Sequence, residues 1–130
     1  MHTDFFPLQE ETYQLIGFCM EVHRILGYGF AEIIYKDAME VEFQENQLPY
    51  IREQKLSVCY KHQVLEHQFC VDFSCFNKII VEVKSCEKGI IADHIAQLLN
   101  YLKVSRYEVG LLINFGKRKL EFQRFVSTGK

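Results

Sequence analysis

The sequence predicts an α/β sandwich in which a mixed central sheet is flanked by helices, with elements in the order ααβββαββ. Three observations carry this expectation. Apolar residues recur at helical spacing up to about Glu45, the pattern changes after Pro49 to the period-2 alternation of strands, and helical spacing returns once from Ile91 before two last strand-like runs.

Leu15, Cys19, Val22 and Leu26 are separated by four, three and four residues, the stripe of an amphipathic first helix over about 8–26. Gly27-Tyr28-Gly29 ends it, because glycine accepts the left-handed backbone of a helix terminus. A second helix is expected over about 31–45, with Ile34, Ala38 and Val41 facing inward. Strands follow at 51–60 and 65–74, joined as a hairpin by the polar turn Lys61-His62-Gln63. After the break at Asn77-Lys78, the β-branched run Ile79-Ile80-Val81-Glu82-Val83-Lys84 reads as a central strand ending in charge. These three strands are expected to be antiparallel. The third helix, 91–104, carries its apolar stripe on Ile91, Ile95, Leu98 and Leu102, and strands at 109–115 and 120–126 complete the order.

At 130 residues the chain has room for one hydrophobic core, so residues 1–130 are expected to form a single domain. No apolar run reaches the roughly 20 residues of a spanning helix, and Met1-His2-Thr3-Asp4 lacks the basic start of a secretory signal, so a cytoplasmic protein with no membrane contact is expected. Cys19, Cys59, Cys70, Cys75 and Cys86 include no CxxC pair, which argues against disulfides, a zinc site or an iron–sulfur cluster and for reduced, mostly buried thiols. A net charge of −2 excludes a protein that coats nucleic acid through bulk charge; the densest basic run is Lys117-Arg118-Lys119, with Arg124 nearby.

Glu82 and Lys84 are two positions apart on one strand, so the pleat places both on one face, roughly 7 Å apart. The preceding strand brings Asp72 beside them among the apolar Val71 and Phe73, where a carboxylate requires a neutralising partner. A hard divalent cation suits such an oxygen set and, with a neighbouring ammonium, supplies the parts of phosphodiester hydrolysis. The same spacing also fits an ordinary strand-end ion pair with Asp72 facing solvent. On the third helix His94, Gln97 and Tyr101 share a polar stripe, expected to face the acidic strands.

Val71-Asp72 followed by Glu82-Val83-Lys84 resembles the signature of the PD-(D/E)XK nuclease superfamily, and Gln97-Leu98-Leu99-Asn100-Tyr101 resembles the QxxxY motif of its RecB-like members. Gly29-Phe30-Ala31-Glu32-Ile33-Ile34-Tyr35 resembles the motif that names the GxxExxY family within that superfamily. The likeness spans about 15–126 and departs where Val71 stands in place of the proline. It implies a restriction-endonuclease-like fold with Glu32, Asp72 and Glu82 as ligands of Mg²⁺ or Mn²⁺ and Lys84 as catalytic lysine. Gln97 and Tyr101 would position the substrate or that lysine. The implied activity is a nuclease acting on DNA, with RNA as the second candidate, and a homodimer or a protein partner is left open. A non-catalytic binding or assembly module that keeps the fold is the alternative.

Overall fold

The structure is a computed structural model that describes residues 7–127; Met1-His2-Thr3-Asp4 lies outside the described residues. Helices α1 (Gln9–Leu26) and α2 (Glu32–Glu45) are followed by β1 (Tyr50–Leu56), β2 (Cys59–Tyr60), β3 (Gln63–Val64), β4 (Phe69–Cys75) and β5 (Ile79–Lys84). Helix α3 (Ala92–Val104), β6 (Val109–Asn114) and β7 (Glu121–Val126) complete the order. The main sheet runs β1-β4-β5-β6-β7, antiparallel except for the β5–β6 pair, which is parallel and joined through α3. This is the expected mixed sheet flanked by helices, consistent with a restriction-endonuclease-like fold. No helix among the described residues is long and apolar enough to cross a membrane.

Period-2 alternation sorts the central strands between two cores. Ile79, Val81 and Val83 of β5, with Val109, Leu111 and Ile113 of β6, pack against α1 and α2; Ile80 and Leu112 pack against Leu98 and Leu102 of α3. Strand β5 is buried from Ile79 to Val83 and only Lys84 emerges, so the sheet delivers charge at its rim.

Three details differ from the sequence expectations. The inward face of α2 is Tyr35, Met39 and Phe43, while Ile34 and Val41 are exposed and Ala38 is half-buried. The larger side chains win the core side, and Tyr35 fixes the rotation. Its hydroxyl donates to the Gly27 carbonyl at 2.7 Å and accepts from Phe30 N–H at 3.2 Å, and its ring stacks 4.4 Å from Phe115. On α3, Ile91 is exposed at the N-cap and Ile95 half-buried, leaving Leu98 and Leu102 as the buried anchors. The expected long hairpin is interrupted as well: β1 ends at Leu56 and the tip forms its own exposed pair β2–β3, with Gln63 in the strand and Lys61-His62 as the turn. A two-stranded tip with no layer against it has nothing to bury. Of the cysteines, Cys19 and Cys75 are buried, Cys86 is half-buried, and Cys59 and Cys70 are exposed, all free thiols.

Behind Lys84 the loops are stitched by one buried amide. Asn114, fully buried, accepts from Cys86 N–H at 2.8 Å and Gly116 N–H at 3.0 Å, and donates to the Cys86 carbonyl at 2.9 Å. Gly116 lies so close to Cys86 that a Cβ there would stand 2.4 Å from backbone nitrogen, whereas a Cβ at Gly17 on α1 meets nothing within 4 Å. Opposite outcomes are therefore expected from one substitution type in thermal unfolding. Gly116→Ala should lose on the order of 1–3 kcal/mol through overpacking against backbone, and Gly17→Ala should gain roughly 0.5–1 kcal/mol from helix propensity. Equal effects would refute the close approach.

Candidate active site

The first 60 residues of this fold already contain an irregularity that shapes the site. Arg52 pairs with Phe73 and Gln54 with Val71, so Glu53 stands at the register position opposite Asp72, yet the ladder omits that pair. Glu53 has φ 56°, a left-handed conformation that costs a side-chain-bearing residue about 1–2 kcal/mol. Both strands change faces there. Phe69 and Val71 of β4 and Leu56 of β1 join the core under α3, while Phe73, Cys75 and Tyr50 join the core under α1 and α2. Simple alternation therefore does not set the side of Asp72; the crossover does.

Asp72 and Glu82 bridge β4 and β5 with side-chain hydrogen bonds where the ladder stops at Phe73–Val81. Glu82 Oε2 accepts from Asp72 N–H at 2.9 Å, and Asp72 Oδ2 accepts from Val83 N–H at 2.7 Å, so each carboxylate satisfies a backbone donor of the opposite strand. Glu82 is 6% exposed. Burial, and then the charge of Asp72, pushes its carboxyl up to about 8, against which the Asp72 N–H, Lys84 and Lys36 act only in part. Lys84, half-buried, follows two residues later on the same face.

The neutralising cation beside Asp72 is Lys36, which the sequence reading did not single out. It is 7% exposed on α2; its Nζ donates to Asp72 Oδ1 at 3.0 Å and also to Glu53 Oε2. Burial pulls this ammonium down, but the hydrogen bonds and charges of Glu53 and Asp72 outweigh it and hold Lys36 above its usual value. The Lys36 hydrogen bond holds Glu53 below the usual carboxylate range, and Cys70 Sγ donates to Glu53 Oε1 at 3.4 Å. Had α2 been phased on Tyr35, Met39 and Phe43, Lys36 would have fallen on the inward arc, where a lysine demands an acidic partner.

The remaining expected residues divide. Tyr101 is half-buried, its ring stacked 4.3 Å from Phe69, and burial followed by the charges of Glu82, Asp72 and Cys70 raises its phenol, with Gln97 opposing. Tyr101 therefore lies within reach of the charge of the acidic pair, and the exposed Gln97 lies one turn before it. His94 is a cap instead: its Nδ1 accepts from Ile91 N–H at 3.2 Å at the start of α3. Glu32 is exposed at the first turn of α2 and makes no bond to Asp72 or Glu82. Among the described residues no three His, Cys, Asp or Glu side chains converge as a ready-made ion site.

Geometry thus brings together Asp72, Glu82, Lys84, Lys36 and Tyr101, with Glu32 one turn before Lys36 on α2. The model of the PD-(D/E)XK nuclease superfamily matches residues 9–125. The chain belongs to the PD-(D/E)XK nuclease superfamily. Among solved structures, the crystal structure of a protein designated SSO0001 is similar with a TM-score of 0.55 and 20% identity over 92% of this chain, a likeness of fold. The chain spans 60% of the length of that protein. Comparison with curated sequences gives no match.

The superfamily implies a divalent metal, and the donor chemistry here fits one. Two carboxylates are held together by backbone donors, one of them buried and raised, and oxygen ligands of this kind are what Mg²⁺ takes. The burial of Glu82, and after it the charge of Asp72, has a direct consequence for the metal-free protein. In the unfolded chain Glu82 titrates near 4.5 and in the fold near about 8, so the fold binds the proton more tightly and stability declines as pH rises between those values. In EDTA, Glu82→Gln should therefore melt above wild type at pH 7, with the advantage shrinking toward pH 5. An advantage that does not change with pH would contradict the buried, repelled carboxyl.

Proposed function

We propose that this chain is a divalent-metal-dependent nuclease that hydrolyses phosphodiester bonds in DNA, with RNA as the second candidate substrate. The observation that carries this reading is the buried Glu82 accepting from Asp72 N–H while Asp72 accepts from Val83 N–H, two residues before a half-buried lysine at the rim of the sheet. Membership of a nuclease superfamily supplies the reaction class.

In this reading Asp72 and Glu82 hold Mg²⁺ or Mn²⁺. Glu32 is retained as the acidic contribution of α2 because a spacing of four puts it on the same side of that helix as Lys36, about 6 Å along the axis. A bound ion would polarise a phosphoryl oxygen and make a bound water more acidic. Lys84 donates to the attacking water or to the charge developing on the phosphate, where a preorganised cation acts mainly in the transition state. Tyr101, anchored on Phe69, and Gln97 position the substrate or the lysine. Lys36 neutralises Asp72 when no ion is bound and keeps the carboxylates in place.

Assignment to the GxxExxY family rests on structural roles for its other two named residues. Gly29 has φ 107°, which favours glycine, and Tyr35 locks α2 to the preceding loop through its hydroxyl. A cytoplasmic location is part of the same reading, as is a homodimer or protein partner that widens the substrate-binding surface.

Lys84→Ala should reduce cleavage to background while leaving the melting temperature and Mn²⁺ binding close to wild type. Asp72→Asn, which keeps the side-chain shape beside Lys36, should lose both cleavage and Mn²⁺ binding. Calorimetric titration and cleavage of single-stranded DNA, duplex DNA and RNA at one salt concentration check both. No thermal shift of wild type with Mg²⁺ or Mn²⁺ would instead favour the non-catalytic module, since an ion bound only by the fold must stabilise it.

A further inference from the structure

A cleft of about 620 Å³ lies behind the active-site strand, lined by Tyr28, Phe30 and Ala31 on one wall and Ser85, Glu87 and Gly116 on the other. Its size falls within the roughly 300–1,000 Å³ of sites that enclose small organic groups. Its walls are tied together, since Ser85 Oγ donates to the Phe30 carbonyl at 2.6 Å and Phe30 N–H donates to the anchored Tyr35 hydroxyl. Exposed aromatic rings on this fixed loop are unexpected: Tyr28 is 52% and Phe30 46% accessible. Phe30 begins a ladder of rings, edge-on to Tyr35, which stacks on Phe115, which in turn meets His23.

Two further features say what the cleft holds. The exposed Lys117-Arg118-Lys119 follows directly from Gly116, and its loop is pinned by a 2.8 Å hydrogen bond between His23 Nε2 and the Lys117 carbonyl. The cleft also borders the end of β5. Ser85 follows Lys84, Ala31 precedes Glu32, and Phe115 N–H donates to the Lys84 carbonyl at 2.8 Å. Aromatic faces beside a cationic loop match the chemistry of an unpaired strand: bases stack and phosphates meet cations. Glu87 is the acidic side chain of the lining, which directs the phosphates to the Gly116–Lys119 side.

We propose that this cleft binds single-stranded nucleic acid, with a base stacked on Tyr28 and Phe30 and its phosphates along Arg118 and Lys119, feeding an unpaired strand toward Lys84. The proposal deepens the nuclease reading and rests on it for the direction of the strand. A duplex cannot present base faces to the rings, so the cleft selects strands already unpaired.

The test separates binding from cleavage. Fluorescence anisotropy in EDTA, with labelled oligothymidylate, oligouridylate and a duplex hairpin, measures binding by wild type, Tyr28→Ala, Tyr28→Phe and the double variant Arg118→Ala/Lys119→Ala. Wild type should bind at least one single strand more tightly than the hairpin. Tyr28→Ala should weaken that by about 5- to 100-fold and Tyr28→Phe restore it. The double variant should make the dependence of log K on log salt shallower by about 1.4. Preference for the hairpin, absence of single-strand binding, or variants that bind like wild type would overturn the cleft. Cleavage by wild type with Mn²⁺ is measured separately: cleavage with unaltered binding by Tyr28→Ala removes the cleft and leaves the nuclease, and the expected binding without cleavage removes the nuclease and leaves the cleft.

Discussion

The paired hydrogen bonds between Asp72 and Glu82 do the work that backbone pairing does elsewhere in the sheet. Where β4 and β5 part after Phe73–Val81, each strand would leave an amide without a partner, and a buried amide without a partner costs on the order of 1–3 kcal/mol. The two carboxylates take those amides instead. Opening the sheet at this point and setting the acidic pair in place are therefore one structural event. Lys84 reaches the rim because β5 continues past the opening, held on its other side by the parallel ladder to β6 that runs from Ile79–Val109 to Lys84–Asn114.

Two carboxylates fixed this way repel, and the fold answers from a different layer. Lys36 comes from α2, whose rotation is set by Tyr35, whose ring in turn rests on Phe115 at the end of β6. The cation at Asp72 thus depends on the aromatic core under α1 and α2 and not on the strands that carry the acids. Tyr101 approaches from the opposite layer, through α3 and Phe69. Helices on both faces converge on one gap in the sheet, an arrangement that a two-layer fold could not supply.

The sequence made the framework legible because periodicity reports which side of an element is buried. Ile79 to Val83 announced a central strand, and Leu98 with Leu102 announced the face of α3. The same logic failed on α2, where Ile34, Ala38 and Val41 offered one stripe and Tyr35, Met39 and Phe43 another; side-chain volume and the Tyr35 hydroxyl decided between them. Asp72, Glu82 and Lys84 were visible as a motif, but their true contacts were not. Alternation assumes an unbroken pleat, and the pleat breaks at Glu53, a residue with no turn signature in the sequence. Lys36 and Glu53 were hidden for separate reasons: one needed the correct phase of α2 and the other the register of a hairpin.

Breaches of local rule mark this site independently of any resemblance. Of the described non-glycine residues with positive φ, Glu53 alone lies inside a strand, while Leu8, Gln47, Lys61, Phe76 and Asn77 lie outside the strands. Glu82 is a buried carboxyl facing another acid, and Lys36 a buried ammonium. Each of these is unfavourable by itself, and apolar residues in a regular ladder would serve stability better at all of them. They are not scattered: Glu53 opposes Asp72, Asp72 bonds to Lys36 and to the strand of Glu82, and Lys84 follows. Away from this point β4, β5 and β6 follow the ordinary rules of a packed sheet. Apart from the buried Thr12 hydroxyl on α1, the fold gathers its unfavourable polar groups into this one connected cluster and supports them from both layers, the pattern expected where local rules yield to a site.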